Sequence, residues 1–288
     1  MGYLHIENLY KNQTILLFRE CYALEKIHGT SAHIRWFDGK LTLSPGGESA
    51  ERFAKLFDAE ALTKSFEALG HSHVVVYGEA YGGKQQAQAW RYGKELRFVA
   101  FDVVIRESWL SVPSAADVVG KLGLEFVHYD RTSTDLPALD ALRDAPSTQA
   151  QRNGVEGDKP REGVVLRPLV EVTCSNGERV ITKHKRDEER ETKSPRPVVD
   201  PSQMEYLTNA TRVAEEWVTP TRLAHVLDKM PRGVGMEATG DVIHAMTEDV
   251  LREGAGEFED NKTTRREIGR KAAELFKALV RTVPTENT

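Results

Sequence analysis

The chain has 288 residues, of which 40% are hydrophobic, 29% charged and 8% aromatic. This apolar content suffices for one large domain and a smaller one, and it excludes an intrinsically disordered chain. No apolar run approaches the ~20 residues of a membrane helix, and the first residues lack the basic and apolar segments of a signal peptide. We therefore expect a cytoplasmic protein without a membrane partner.

Charge is distributed unevenly along the chain. The formal net charge is −5, which argues against a protein that binds polyanions over its whole surface. Residues 179–196 contain seven Lys or Arg against four Asp or Glu, and residues 262–281 contain seven against two. A nucleic-acid partner would therefore be bound locally, at one or both of these segments.

The first 185 residues alternate strand patterns with a few helical ones. Asp38-Gly39 between two strand patterns predicts a hairpin, and a helical stripe over residues 48–69 ends at Gly70. Residues 131–160, rich in Thr, Ser, Asp, Pro and Gly, predict a long surface connection with one short helix at most. Strands are predicted at residues 22–27, 31–37, 40–44, 73–77, 96–105, 163–170 and 179–183.

The two cysteines, Cys21 and Cys174, match no spacing typical of a metal site or a disulfide framework. Both lie in strand-like surroundings. We therefore predict two buried free thiols.

The pattern changes after Lys185. Residues 186–201 are charged and contain three prolines, which is typical of a linker. Beyond them, helical patterns cover residues 204–218, 220–230, 242–253 and 265–283, with Thr219 as a cap and Pro220 in a first turn. We predict an α+β protein: antiparallel sheets with flanking helices over residues 1–197, then a small all-helical domain over residues 198–288.

Five short segments carry residues suited to phosphate chemistry. Each has an ordinary alternative, such as a solvated lysine, a hairpin glycine or a core aromatic. Together, and in this order, they are hard to assign to chance. They are Glu25-Lys26-Ile27-His28-Gly29, Tyr77-Gly78-Glu79, Phe98 to Asp102, Glu162-Gly163, and Lys183 with Lys185.

These segments resemble motifs I, III, IIIa, IV and V of the covalent nucleotidyltransferase superfamily of ligases and capping enzymes. His28 at the third position of motif I, with Glu25 before Lys26, is similar to the RNA ligase branch that includes phage nick-sealing and kinetoplastid editing ligases. The resemblance covers roughly residues 22–185. It implies an ATP-grasp-like ligase domain, and the helical domain is then a candidate RNA-binding element.

The resemblance also implies roles for individual residues. Lys26 is the nucleophile that carries AMP, and Glu25 and Ile27 beside it belong to the nucleotide-binding set. Glu79 is expected on the ribose hydroxyls and Phe101 on the adenine ring. His28 acts when the 3′-hydroxyl attacks the adenylated end, while Asp102, next to Phe101, has a structural alternative.

The chemistry of the residues agrees with these roles. A lysine attacks phosphorus only as the neutral amine, and nearby cations such as Lys183 and Lys185 lower a lysine pKa. Because these two lysines are two apart on a strand, they face one side and can neutralise phosphate oxygens. Glu162 offers a carboxylate for Mg²⁺, and both lysines also belong to the ATP-binding set. Mn²⁺ is an expected substitute.

One departure concerns the arginine that such ligases commonly carry about twenty residues after the nucleophile. That stretch here contains Ser44 and the turn Gly46-Gly47. Ser44 or the backbone N–H groups of the turn are candidates to replace it. Arg35 is another, since strand alternation does not decide which way it faces.

The sequence therefore predicts an ATP-dependent RNA ligase, acting as a monomer, that joins 5′-phosphate and 3′-hydroxyl RNA ends. It does not distinguish a nicked duplex from a single-stranded end or a tRNA break. One alternative is a DNA ligase or a capping-type nucleotidyltransferase, against which stand His28 and the lack of a strand-rich C-terminal segment for an OB-fold. The other is a nucleic-acid binding module that has lost its chemistry. Against it stands the complete set of charged motif residues.

Overall fold

The computed structural model divides the chain into two compact units, Met1–Arg186 and Asp187–Thr288. No helix in the described part is long and apolar enough to cross a membrane. The two outer ends of the predicted C-terminal helices, Met204 and Val283, lie outside the described part. The structure describes residues 2–83, 88–199, 206–230 and 235–282.

Two antiparallel sheets form the framework of the first unit. The strands are β1 (Glu20–Lys26), β2 (Gly29–Phe37), β3 (Lys40–Ser44), β4 (His73–Gly82), β5 (Leu96–Ile105), β6 (Ser108–Trp109), β7 (Tyr129–Ser133), β8 (Gly163–Pro168) and β9 (Thr182–Lys185). The first sheet has the order β7-β1-β8-β9 and the second the order β3-β2-β4-β5-β6. The predicted α+β class with antiparallel sheets is confirmed.

The chain passes from one sheet to the other within two residues. Strand β1 ends at Lys26, and β2 begins at Gly29 in the other sheet. In the register, Lys26 lies opposite Gly163 of β8, and Gly29 lies opposite Tyr81 of β4. Because so short a connection joins the sheets, the segment around Lys26 lies where they meet.

Helices cover the sheets and complete the core. They are α1 (Ala50–Ala54), α2 (Ala59–Leu69), α3 (Val112–Lys121), α4 (Leu136–Asp144) and α5 (Thr148–Arg152). Phe66 of α2 and Val119 of α3 pack with Ile34 and Val76 of the second sheet. A separate cluster includes Leu24 and Ile27 beside Tyr81 and Val99, so apolar packing joins the two sheets.

Several local predictions are confirmed. The hairpin at Asp38-Gly39 has φ angles of 45° and 80°, the left-handed conformation that such a turn requires. Strands β3 and β5 have the predicted bounds. Gly70 ends α2 with φ 70°.

The predicted single helix over residues 48–69 is wrong, because two helices meet there. The Asp58 carboxylate accepts hydrogen bonds from the backbone N–H groups of Glu60 and Ala61, which starts a new helix at Ala59. The apolar stripe continues across this break, so periodicity alone did not reveal it.

The long surface connection predicted for residues 131–160 is also wrong. The segment holds the end of β7 and the helices α4 and α5. Leu139 and Ala150 are buried against the sheets, and Pro137 lies in the first turn of α4, where proline is tolerated. The polar composition reflects the exposed faces of these helices.

The cysteines differ from each other. Cys21 is a buried free thiol, as predicted, and burial raises its pKa to about 12. Cys174 is exposed, which contradicts the prediction. It begins a tight turn in which its carbonyl accepts a hydrogen bond from Gly177.

The second unit is helical, as predicted. Its helices are α6 (Ala210–Trp217), α7 (Pro220–Asp228), α8 (Thr239–Glu253) and α9 (Lys262–Thr282). Trp217, Met246 and Phe276 are among the buried residues of its core. The predicted cap at Thr219 is present, because its side chain accepts from the N–H of Arg222.

The structure divides the chain after Arg186, whereas the sequence pattern places the boundary after residue 197. The proline-containing segment packs on the second unit instead of hanging free. The Lys193 N–H donates to the carbonyl of Glu216 at 2.8 Å, and the Thr219 hydroxyl donates to the carbonyl of Glu191 at 3.1 Å. The prolines therefore coincide with the change from one unit to the next, but the segment that contains them is not a flexible linker.

Candidate active site

A buried carboxylate lies at the meeting point of the two sheets. Glu162, directly before β8, accepts from the Lys26 Nζ at 2.8 Å and pairs with the Lys185 Nζ at 3.1 Å. The Glu162 side chain is 3% exposed, whereas that of Lys26 is 25% exposed. The two lysines use different carboxylate oxygens, so the carboxylate holds both ammonium groups at once.

The backbone beside Glu162 explains how the strands come so close. A side chain at Gly163 would put its Cβ 2.2 Å from the carbonyl oxygen of His184. Only glycine therefore lets β8 and β9 approach here and bring Lys185, opposite Gly163, to the carboxylate. The Glu-Gly pair of the sequence thus reflects a packing requirement.

The charge state of Glu162 follows from its neighbours. Burial alone would raise the carboxyl pKa, but the ammonium groups of Lys26 and Lys185, with His28, hold it well below its usual range. Glu162 is therefore ionised at neutral pH. A buried, ionised carboxylate is the donor type that Mg²⁺ or Mn²⁺ takes, so this residue fits the predicted metal role.

Lys183 lies two residues before Lys185 on β9 and is 8% exposed. An N-terminal segment fixes its backbone: Lys183 N–H donates to the carbonyl of Glu7, and the Leu9 N–H donates to the Lys183 carbonyl. The strand that carries both predicted lysines is therefore held on both of its edges.

His28 approaches the same carboxylate oxygen of Glu162 as Lys26 does. Its Nδ1 is 3.7 Å from the carboxylate, and its ring is buried. The His28 backbone N–H donates to the hydroxyl of Tyr92 at 3.1 Å, and burial raises the pKa of that hydroxyl. Both the side chain and the backbone of His28 thus fix the two-residue crossover between the sheets.

Glu79 reaches the site from β4. A Cβ at Gly29 would lie 2.7 Å from the Glu79 Cγ, so the motif I glycine leaves the space that Glu79 occupies. Burial raises the pKa of Glu79 to about 8, with Lys26 lowering it and the charge of Glu162 raising it further. The structure therefore brings Glu79 into the electrostatic range of Lys26 and Glu162.

Glu25 and Ile27 point away from this cluster. The Glu25 carboxylate accepts from the Ser147 hydroxyl at 2.5 Å and from the Gln149 N–H at 3.2 Å, with the Arg161 Nε at 3.8 Å. Burial raises the pKa of Glu25, although these partners oppose the rise. Ile27 is buried in the core between the sheets. Neither side chain touches the Lys26–Glu162 pair.

Phe101 and Asp102 lie at an irregularity of β5. The register between β4 and β5 shifts between Tyr77 and Gly78. Phe101 is half-buried, and its ring meets the ring of Tyr3 edge to face at 4.9 Å. Asp102 is fully buried and accepts from the Tyr3 hydroxyl at 2.6 Å. Asp102 is thus part of the framework behind Phe101.

The candidates for the missing arginine do not converge on the cluster. The Arg35 guanidinium lies over the ring of Phe37, 4.8 Å from its centroid, at the end of β2 away from Gly29. Ser44 pairs with His33, and the Gly47 N–H donates to the Thr30 hydroxyl. The turn therefore packs on the start of β2, and the N–H group of Gly47 already donates within the chain.

Sequence patterns did not reveal the residues that fix motif I through hydrogen bonds and an ion pair. Ser147, Gln149 and Arg161 fix Glu25, and Tyr92 fixes the backbone of His28. Each is far from its partner in the chain and has no motif of its own. Only the fold brings them together.

The family model described as RNA ligase matches residues 19–185 of the chain, which contain every residue of this cluster. No curated protein sequence matches the chain.

Among solved structures, the chain is similar to Naegleria gruberi RNA ligase with PPi, at 15% identity and a TM-score of 0.50. That match covers 65% of this chain and 56% of the other. A Lys-to-Ala mutant of the same ligase with ATP and Mn matches at 15% identity and a TM-score of 0.51, covering 65% and 57%. The chain thus spans little more than half the length of these proteins, and the likeness concerns the fold.

Proposed function

The chain belongs to the RNA ligase family, and we propose that it is an ATP-dependent RNA ligase that carries AMP on Lys26. The observation that carries this proposal is the cluster of Lys26, Glu162 and Lys185. A partly exposed lysine beside a buried carboxylate and a second ammonium group has what nucleotidyl transfer to an amine requires.

In the first step, the Lys26 Nζ attacks the α-phosphorus of ATP. A P–N bond forms and the bond to pyrophosphate breaks. Lys26 must react as the neutral amine, so its ammonium proton has to leave before the attack. Glu162 would hold a Mg²⁺ or Mn²⁺ ion, whose positive charge would offset the phosphate charge of ATP.

The remaining residues bind and orient the nucleotide. Glu79 is suited to hydrogen bonds with the ribose hydroxyls, since near neutral pH its raised pKa leaves it able to donate as well as accept. Phe101 offers a half-buried ring to the adenine. Glu25 and Ile27 support this pocket by fixing the backbone on either side of Lys26.

The later steps join the RNA ends. AMP passes from Lys26 to the RNA 5′-phosphate, and the 3′-hydroxyl then attacks that phosphate and releases AMP. His28, beside Glu162, is the residue suited to act on the attacking end. We assign the chain to the nick-sealing and editing branch because its motif I reads Glu25-Lys-Ile-His-Gly29.

A substrate panel tests this proposal. Full-length protein is incubated with ATP and Mg²⁺ and with nicked or single-stranded RNA and DNA that carry a labelled 5′-phosphate. We expect sealing of RNA ends and a gain of about one AMP on the protein. Sealing of DNA with no sealing of RNA would favour a DNA ligase, and a preference for GTP would favour a capping-type enzyme.

The proposal assigns RNA binding to the second unit, through one face of α9. Lys262, Arg266, Arg270, Lys277 and Arg281 are separated by four or seven residues, so they follow one exposed face. Arg270 is paired with Glu267 and Glu274. Within the described residues, Lys277 and Arg281 make no ion pair. These two are therefore ready to bind phosphate.

Salt dependence tests this basic face. Replacing Lys277 and Arg281 together with glutamine should weaken RNA binding and reduce the slope of log affinity against log salt by about 1.5. Lys271→Gln is the matched control, because Lys271 lies on the same helix away from this face. Equal losses in the control and the double variant would argue for a general charge effect.

The cytoplasmic location and the monomeric state of the protein stay predictions. Both cysteines are free thiols, which agrees with a reducing compartment such as the cytoplasm. Sedimentation of the full-length protein would test the predicted monomer.

A further inference from the structure

One tryptophan of the chain is exposed beside two cations. Trp90, in the loop between β4 and β5, is 56% exposed, whereas Trp36 and Trp217 are buried. The Lys159 Nζ lies 5.6 Å from the centroid of the Trp90 ring, and the Arg91 Cζ lies 5.7 Å from it. The indole N–H donates to the Gln88 side chain at 3.0 Å, which orients the ring.

The loop that carries Trp90 is attached to motif I. Tyr92, two residues later, accepts a hydrogen bond from the His28 backbone at 3.1 Å. Because Tyr81 near the end of β4 lies opposite Gly29, this loop leaves the sheet at the end where motif I enters it. Two residues span at most ~7 Å, so Trp90 lies within that distance of Tyr92, whose hydroxyl contacts the crossover that follows Lys26.

The loop that carries Lys159 is attached to the same site through Ser147. The Lys159 carbonyl accepts from the N–H of Ser147, whose hydroxyl holds Glu25. Lys159 also precedes Glu162 by three residues, a span of at most ~11 Å. The two loops are joined, since the Asn153 side chain donates to the Tyr92 carbonyl at 3.0 Å.

We propose that Trp90 and Lys159 form a binding site for one nucleotide of the RNA strand next to the junction. The base stacks on the indole ring, and Lys159 neutralises the adjoining phosphate. The inference rests on the proposed function and adds to it a site in the first unit, separate from the helical domain.

Charge complementarity selects this occupant. An aromatic ring beside ammonium and guanidinium groups matches a flat base that carries a phosphate, and this combination recurs where proteins hold single-stranded RNA. A purely apolar protein partner would bury the Lys159 ammonium group, which is partly exposed in the free chain, at a cost. Since every base has a π-face, we expect little sequence preference at this site.

Tryptophan fluorescence gives a direct test. A single-stranded 5′-phosphorylated oligoribonucleotide is titrated into the full-length protein without ATP. We expect RNA to quench the emission of the wild type and not that of Trp90→Phe. The RNA affinity of Trp90→Phe should stay within about threefold of the wild type, because phenylalanine keeps an aromatic ring. Trp90→Ala should bind the RNA about tenfold more weakly.

The opposite end of the same sheet provides a matched control. Phe37 is 42% exposed with the Arg35 guanidinium 4.8 Å from its ring, but it lies at the end of β2 far from motif I. Phe37→Ala should leave the RNA affinity unchanged. Lys159→Ala should lower the slope of log affinity against log salt by about 0.7, the value for one phosphate contact on a single strand.

Two results would overturn the site. One is an RNA affinity for Trp90→Ala equal to that of the wild type. The other is an equal loss in Trp90→Ala and Phe37→Ala, which would make the effect a general property of exposed aromatic residues. Lysyl-AMP formation by the wild-type chain is measured in parallel. Failure of that reaction counts against the proposed function, while unchanged RNA binding in Trp90→Ala counts against the nucleotide site alone.

Discussion

The first unit contains two buried carboxylates that each lie between two cationic side chains, and the cations differ. Glu162 lies between Lys26 and Lys185, and Lys26 remains 25% exposed. Asp102 lies between two arginines and is fully buried. A lysine can lose its proton and act as a nucleophile, whereas an arginine stays charged. Only the Glu162 cluster is therefore suited to covalent chemistry.

The Asp102 cluster is held by arginines, which stay charged and keep their ion pairs. Arg167 and Arg179 contact the two carboxylate oxygens at 3.0 Å and 2.7 Å, and both arginines also bind Glu171. The Arg179 guanidinium stacks over the ring of Trp109 at 3.9 Å. The planar guanidinium groups of these arginines and their hydrogen bonds stabilise this part of the fold. In the lysine cluster, by contrast, Lys26 is partly exposed and can reach a substrate.

The largest expected effect on stability comes from breaking the arginine cluster. Asp102→Ala leaves two buried guanidinium groups without one of their two shared carboxylate partners, so the free energy of unfolding should fall by about 3–5 kcal/mol. Urea denaturation measures this. The matched control is Glu20→Ala, which removes an exposed partner of Arg131 and should leave the unfolding midpoint nearly unchanged. Equal midpoints for the two variants would contradict the structural role of Asp102.

Breaking the lysine cluster should affect the reaction instead. Lys185→Ala removes one positive charge beside the phosphates and should slow adenylation of Lys26 by about a hundredfold, roughly 3 kcal/mol in the barrier. Single-turnover labelling with ATP measures this rate. Lys121→Ala, which removes an exposed lysine from α3, is the control. Unchanged adenylation in Lys185→Ala would assign the Glu162 pair to stability alone.

A smaller effect concerns Glu79 and pH. Its pKa is about 8 in the folded chain against an ordinary value of 4.5. Between these values the unfolded chain gives up a proton that the folded chain keeps, so stability falls as pH rises from 4.5 to 8. Glu79→Gln removes this penalty and should raise the free energy of unfolding at pH 8 relative to wild type.

The matched measurement is at pH 4.5, where glutamine and protonated glutamate should give nearly equal stability. A constant difference between Glu79→Gln and wild type across this range would show that Glu79 is not held protonated by its surroundings.

The local parts of the fold followed from the sequence. The hairpin at Asp38-Gly39 and strand β5 depend on neighbouring residues, whose pattern is visible in the chain. The structure also brings the motif residues Lys26 and Glu162 within 2.8 Å of each other, while their roles in the reaction stay predictions. Predictions of local structure succeed where the signal lies in the spacing of neighbouring residues.

Long-range partnerships did not follow from the sequence. Ser147 binds Glu25 across 122 positions of the chain, and nothing near either residue announces the other. Composition also misled for residues 131–160, since polar residues on the exposed faces of α4 and α5 resembled a loop. The exposure of Trp90 is likewise a property of the fold, because an aromatic residue in a sequence is equally typical of a core.

The central claim is that Lys26 becomes the carrier of AMP, and intact-protein mass spectrometry after incubation with ATP and Mg²⁺ tests it most directly. The wild-type chain should gain the mass of one AMP through an acid-labile bond, which peptide mapping should locate at Lys26. Lys26→Arg, which keeps a cation beside Glu162 but cannot act as a nucleophile, should gain nothing. An adduct on Lys26→Arg at the wild-type level, or an adduct that maps to another lysine, would contradict the account.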